Sequence, residues 1–192
     1  MFLGIVALFS ISAQSIAGGW ESIPINDPSL KIVEPWLLRN IPLLFPEIGS
    51  NSFEIVSAET QIVSGRNFEL NIKSKSVALL FKIRLYVNLT DYVRIEMIQR
   101  PIGSRPLFGG YRWQKPERFS NTQLLSFIRT IQEQSNLLVG QPGSVLMYRT
   151  KIVKGLITHV VFRDSNDKVF STVVLRNPLS NRLQLVSVYQ IF

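Results

Sequence analysis

The chain has no cysteine and a single histidine, His159. Without thiols there is no disulfide, no thiolate nucleophile, no iron–sulfur cluster and no cysteine-type zinc site. One imidazole removes histidine-pair metal sites as well, so neither a metal nor a cofactor is expected. Acidic residues are scarce: 13 Asp and Glu face 21 Lys and Arg, a formal net charge of +8. An excess of that sign points to acidic partners and says nothing about fold. Long apolar runs are missing too. The longest, beginning at Phe2, stops at about ten residues before Ser12 and Gln14 dilute it, and a membrane span needs about 20. What the chain does have is core material: 46% of its 192 residues are hydrophobic, among them 12 Phe, 5 Tyr and 3 Trp. That composition excludes a disordered chain.

Residues 1–17 carry no charged side chain and end in small residues, the pattern of a secretory signal peptide. Two cleavage points fit, after Ser15 with Ala13 at −3 or after Ala17 with Ser15 at −3. The expected location is therefore extracellular, or the lumen of the secretory or endolysosomal pathway, with no membrane span. A secreted chain without disulfides must build cores that are self-sufficient. The sequon Asn88-Leu89-Thr90 makes Asn88 a candidate glycosylation position in a surface loop.

The chain repeats itself. Gly18-Gly19-Trp20 recurs as Gly109-Gly110-Tyr111, an offset of 91, and Thr60-Gln61-Ile62-Val63-Ser64-Gly65 recurs as Thr150-Lys151-Ile152-Val153-Lys154-Gly155, an offset of 90. Two matches in the same order at nearly one offset define a unit. The mature chain divides into domain 1, residues 18–103, and domain 2, residues 104–192. They are joined through Arg100-Pro101-Ile102-Gly103-Ser104-Arg105-Pro106, where proline and glycine oppose helix and central strand alike.

Both units read as one helix followed by strands. In the first, Asp27-Pro28 offers an N-cap and first-turn proline, and Leu30, Val33, Leu37, Leu38 and Ile41 recur at helical spacing. Pro35 and Pro42 inside that pattern predict a kink or a later start. In the second, Ser120 is the cap, followed by Leu124, Leu125, Phe127, Ile128 and Ile131. The period then drops to two in each unit. It predicts strands at 53–57, 68–72, 79–87 and 92–98, and again at 145–153, 156–162, 169–175 and 183–192. The expected class is α+β: two domains, each one helix packed on a four- to five-stranded antiparallel sheet.

On these residues the chain resembles the cystatin superfamily, inhibitors of papain-like cysteine proteases. The order is a glycine pair near the mature N-terminus, one helix, then the family's Gln-x-Val-x-Gly hairpin, here Gln61-Ile62-Val63-Ser64-Gly65. The resemblance implies two cystatin-like domains. It also implies reversible, steric inhibition, with Gly18, Gly19, Gln61, Ile62, Val63, Ser64 and Gly65 contacting a papain-like, cathepsin-type protease. Asn88, Leu89 and Thr90 stand where the family places a second contacting hairpin, although its usual Pro-Trp is absent. Lacking cysteines and Pro-Trp, the units are similar to the stefin branch, whose members normally carry no signal. Family precedent implies a monomer or a swapped dimer. β-Branched Ile62 and Val63 suit a stiff tip, and Gly65 a turn with positive φ.

The domain 2 equivalents, Gly109, Gly110, Lys151, Ile152, Val153, Lys154 and Gly155, depart from the motif. Lys151 stands where the glutamine should be and Lys154 adds a second cation, each costly to desolvate in a protease cleft. Residues 18–103 carry nine Lys/Arg and nine Asp/Glu, whereas 104–192 carry twelve and four. The whole excess of charge therefore belongs to domain 2, with Arg105, Arg112, Lys115 and Arg118 gathered before its helix. The alternative to inhibition is a non-inhibitory module of the same fold, binding anionic polysaccharide or membrane through domain 2. No catalytic role is expected: His159 lies in the alternating run Thr158-His159-Val160-Val161 with no nucleophile–base grouping in the sequence around it. Nucleic acid is not expected as a partner.

Overall fold

The computed structural model describes residues 18–49, 52–77, 79–100 and 110–192. The expected signal segment 1–17, Gly109 and linker residues 101–106 lie outside the described residues. The fold is α+β, with two α-helices and two antiparallel five-stranded sheets among the described residues. The first sheet runs in chain order through β1 (Glu21–Ile23), β2 (Phe53–Val63), β3 (Gly65–Ser74), β4 (Leu80–Val87) and β5 (Val93–Gln99). The second does the same through β6 (Arg112–Gln114), β7 (Pro142–Val153), β8 (Gly155–Asp164), β9 (Val169–Arg176) and β10 (Leu183–Ile191). Helix α1 (Glu34–Leu44) follows β1 and helix α2 (Asn121–Gln134) follows β6. Strand, helix and four-stranded meander thus occur twice.

Asp27 does not cap α1. Its carboxylate accepts the Ser29 amide at 2.9 Å and closes a 3-10 turn over Pro28–Ile32, after which the α-helix starts at Glu34. Pro35 explains the delay. Deep in a helix its ring would clash with the carbonyl four residues back, whereas in the first turn its missing N–H costs nothing. Ser120 caps α2 as its sequence suggests, accepting the Gln123 amide at 3.2 Å while Gln123 Oε1 accepts the Ser120 amide at 2.8 Å. The reciprocal pair satisfies two helix-end donors. The short strands β1 and β6 are absent from the sequence reading, because three residues cannot display a period. Pairing with a long neighbour makes them strands: Glu21 lies opposite Thr60, and Arg112 opposite Thr150.

The expectation of self-sufficient cores fails for the first half. Leu37, Ile41 and Leu44 of α1 pack on Phe68, Leu70, Phe81 and Ile83 of the first sheet, but the same cluster takes in Met147, Val161, Val169 and Ile191 from the second. A second cluster holds α2, through Leu124, Phe127 and Ile131, against Val160, Phe162, Phe170 and Val174. Alternate residues of β8 and β9 therefore serve different clusters, and six consecutive β9 residues, Val169 to Val174, are buried. The layers run first sheet, α1, second sheet, α2. With both faces covered, the second sheet has no solvent side in its middle. The physical reason is economy: with no cross-links available, the first unit gains core volume by burying α1 on two sides.

A side chain invisible to pattern reading fastens this stack. Asn40, fully buried on α1, donates to the Phe192 carbonyl at 2.8 Å and to Trp36 O at 3.0 Å, and accepts the Phe192 amide at 3.1 Å. It pairs the Phe192 backbone with the first helix as a neighbouring strand would.

Candidate functional site

Strands β2 and β3 meet at a tight tip, Val63-Ser64-Gly65, with Val63 opposite Gly65. Gly65 has φ 127°, and a Cβ there would overlap the Val87 carbonyl oxygen. Only glycine fits such a backbone so close to a neighbouring strand. The Tyr86 hydroxyl donates to Ser64 O from below, which ties the tip to β4. Ile62 and Val63 stand out from it, 56% and 42% exposed.

Gln61 is the joint between this tip and the N-terminal glycines. Its Nε2 donates to Gly18 O at 2.6 Å, and its Oε1 accepts from Asn67 Nδ2 at 2.8 Å. One step on, the Arg84 guanidinium lies 4.9 Å from the Trp20 ring. Glu69 in turn binds Arg84 at 2.6 Å and pairs with Lys82. Burial pushes the Glu69 carboxyl up, but these hydrogen bonds and charges outweigh it and hold the group below the usual range. Because β3 also pairs with β4, with Arg66 opposite Val87, the β4–β5 turn falls at the same end. There Asn88 Oδ1 accepts from Thr90 N, Thr90 Oγ1 and Tyr92 N, each at 2.9 Å, and Leu89 is left 87% exposed.

Three segments distant in sequence, 18–20, 61–65 and 88–92, thus form one edge of the first sheet. The structure brings Gly18, Gln61, Ile62, Val63, Ser64, Gly65, Asn88, Leu89 and Thr90 to that end, with Gly19 following Gly18. The sequence reading missed Asn67, Tyr86 and Trp20, which fix the edge without standing at its tip. The one signal was polar and aromatic residues on the outer phase of β3 and β4.

The second sheet repeats the geometry. Over 61–70 and 151–160 the secondary structure and the order of exposed, half-buried and buried residues match position for position. Gly155 has φ 144° and is close to Arg176 O, as Gly65 is to Val87 O. The Gln61–Asn67 bond has no counterpart, however. Lys151 replaces Gln61 and Ile157, its partner across the hairpin, replaces Asn67; Lys151 Nζ lies 6.0 Å from the Tyr111 ring. The β9–β10 turn at the same end is held by Asn177 Oδ1, which accepts from Leu179 N at 2.8 Å, and leaves Leu179 96% exposed.

His159 belongs to neither edge. It is fully buried in β8, where its Nδ1 accepts from Arg149 Nε at 2.9 Å and its Nε2–H faces Ser171 Oγ at 2.9 Å. Arg149, also without exposure, makes a two-pronged pair with Glu47 just beyond α1, its Nη2–Oε2 contact at 2.9 Å. Its guanidinium lies between the rings of Tyr111 and Phe45, 4.1 and 4.9 Å from their centroids. Burial raises the Tyr111 phenol above its ordinary value. Ser171 beside His159 resembles a nucleophile–base pair in distance only. The imidazole's one lone pair is occupied by a guanidinium, and no solvent reaches either group.

Burial, and then the charge of Arg149, drive the His159 pKa well below its ordinary value. The native imidazole stays neutral where the unfolded chain's takes up a proton. This part of the stability is therefore whole above about pH 6.5 and falls as the pH drops below it, by up to about 1.4 kcal/mol per unit, until the lowered native value is reached. Urea midpoints between about pH 7.5 and 5.5 measure it. The wild type should lose more stability over that range than His159→Gln, and equal losses would remove His159 as the cause.

No protein-family model and no curated protein matches the chain.

Proposed function

We propose that the first edge is the working surface of a secreted, reversible inhibitor of papain-like cysteine proteases, as the resemblance to the cystatin superfamily implies. The observation that carries this reading is the Gln61–Gly18 hydrogen bond. It joins the glycine segment to the hairpin tip, at the end of the sheet where the Asn88 turn also emerges. A surface that fills a protease cleft must be narrow, apolar and already ordered, because ordering costs are subtracted from affinity. Ile62, Val63 and Leu89 supply the apolar contacts, and the bonds of Tyr86, Gln61 and Asn88 keep the backbone in place. No group of the chain needs to do chemistry: a tip that sits beside the protease thiolate without offering a bond for attack blocks the cleft by occupancy. Asn88 is unmodified in this reading, since a glycan on it would stand in the space the protease must enter. The domain boundaries at 103/104 and the paired cystatin-like domains belong to the same proposal.

The test is titration of the full mature chain against papain. Inhibition should be reversible with a dissociation constant of about nanomolar order. Ile62→Asp, which places a charge in the apolar contact, should weaken it by about a hundredfold while leaving the thermal midpoint unchanged. Absence of inhibition at micromolar excess, or cleavage of the chain at the tip, would overturn the reading.

A further inference from the structure

The two edges share one backbone and present different chemistry. In the second edge, no acidic residue occurs at 151–156 or 176–182. Ile152 is 75% exposed and Leu179 96%, with Val153 and Pro178 alongside, and these residues line an open cleft of about 700 Å³ between the two turns. Lys151, Lys154, Arg176 and Arg182 flank them, the last three exposed. The first edge carries Arg66 and Asp91 at the matching turns and so has no such bias.

From this pairing we infer that the second edge is a docking surface for an anionic lipid bilayer, inserting Ile152 and Leu179 among the acyl chains while its cations lie on the headgroups. Exposed apolar tips on rigid turns are costly in water and gain on entering hydrocarbon. Basic side chains beside them keep their charge at the interface and add attraction to anionic headgroups. A soluble polyanion accounts for the four cations but has no apolar interior for the leucine and isoleucine, and a bilayer accounts for both. The loss of the Gln61–Asn67 type of bond, with Ile157 in place of the asparagine, fits as well. A lipid surface has no fixed cleft shape to match, so the tip has no need of a polar clamp. Nothing in this inference depends on protease inhibition, which resides on the other sheet.

The experiment is flotation of the full mature chain with vesicles of phosphatidylcholine containing about one-third phosphatidylserine, against vesicles of phosphatidylcholine alone. The chain should float with the first and not the second. The double variant Ile152→Ser with Leu179→Ser should lower partitioning by about tenfold or more. Lys154→Gln should lower it by about fivefold. All three positions are exposed, so unchanged thermal midpoints separate lost binding from lost folding. Equal partitioning into neutral and anionic vesicles, or none into either, would overturn the inference. So would a double apolar variant that floats as well as wild type while Lys154→Gln does not. That last pattern, with retention on heparin, would assign the edge to a soluble polyanion.

Discussion

Arg149→Ala should lower the unfolding free energy by about 3–5 kcal/mol, the usual cost of breaking a buried ion pair from one side. Three losses coincide. The Glu47 carboxylate is stripped of its two-pronged partner, His159 Nδ1 loses its donor, and a void opens between Phe45 and Tyr111. For a chain of this length each kcal/mol shifts the melting temperature by about 2–4 °C, so the fall should be on the order of 10 °C. Glu47→Ala should cost nearly as much despite removing a partly exposed residue, because it leaves a guanidinium with no exposure and no anion. The two changes should be strongly non-additive, with a coupling of about 1–3 kcal/mol in a double-mutant cycle. A loss below about 1 kcal/mol for Arg149→Ala would mean that the network is incidental to stability. The consequence reaches beyond one pair. Glu47 lies in the first half and Arg149 in the second, so this bond, with Asn40–Phe192, makes the stacking of the halves specific.

Gly65→Ala should have the largest effect on the proposed activity. At φ 127° an alanine is strained, and its Cβ would overlap a backbone oxygen that cannot swing aside as a side-chain end could. Relief requires the end of β4 to move away from the tip, at a cost of about 1–3 kcal/mol. That movement breaks the Tyr86–Ser64 bond and misplaces Ile62 and Val63 together. Papain inhibition should weaken by about a hundredfold, because a displacement near 1 Å spoils a preordered surface. Gly155→Ala is the matched control. Its φ is 144° and a Cβ there would lie 2.7 Å from Arg176 O, so its structural cost is similar. It should leave papain inhibition unchanged. Gly18→Ala, with φ 95° but nothing within 4 Å of the added carbon, should be mild in stability. Equal loss of inhibition in Gly65→Ala and Gly155→Ala would show that both edges, or neither, meet the protease.

The repeat, the long strands and the α+β class were legible because each rests on local patterning. Alternation at period two marks a strand whichever partner it finds, and Ser120 caps a helix through bonds within one turn. The hairpin residues were legible for the same reason: a β-branched pair followed by glycine makes a tight tip wherever it occurs. Charge also told in advance that the two edges differ, since Lys151 and Lys154 can be read without coordinates.

What tertiary structure alone decided is which surfaces are shared. The alternation of Thr158-His159-Val160-Val161 shows two faces but not that both are covered, because cover comes from α1, more than a hundred residues earlier in the chain. Arg149 and Asn40 read as ordinary polar residues until the stacking places a carboxylate beside one and the backbone of Phe192 beside the other. The absent cysteines by themselves demand two self-sufficient cores. The fold answers the same demand differently, lending the back of the second sheet to the first helix, because one helix buried on two sides removes more apolar surface from water than two separate units could.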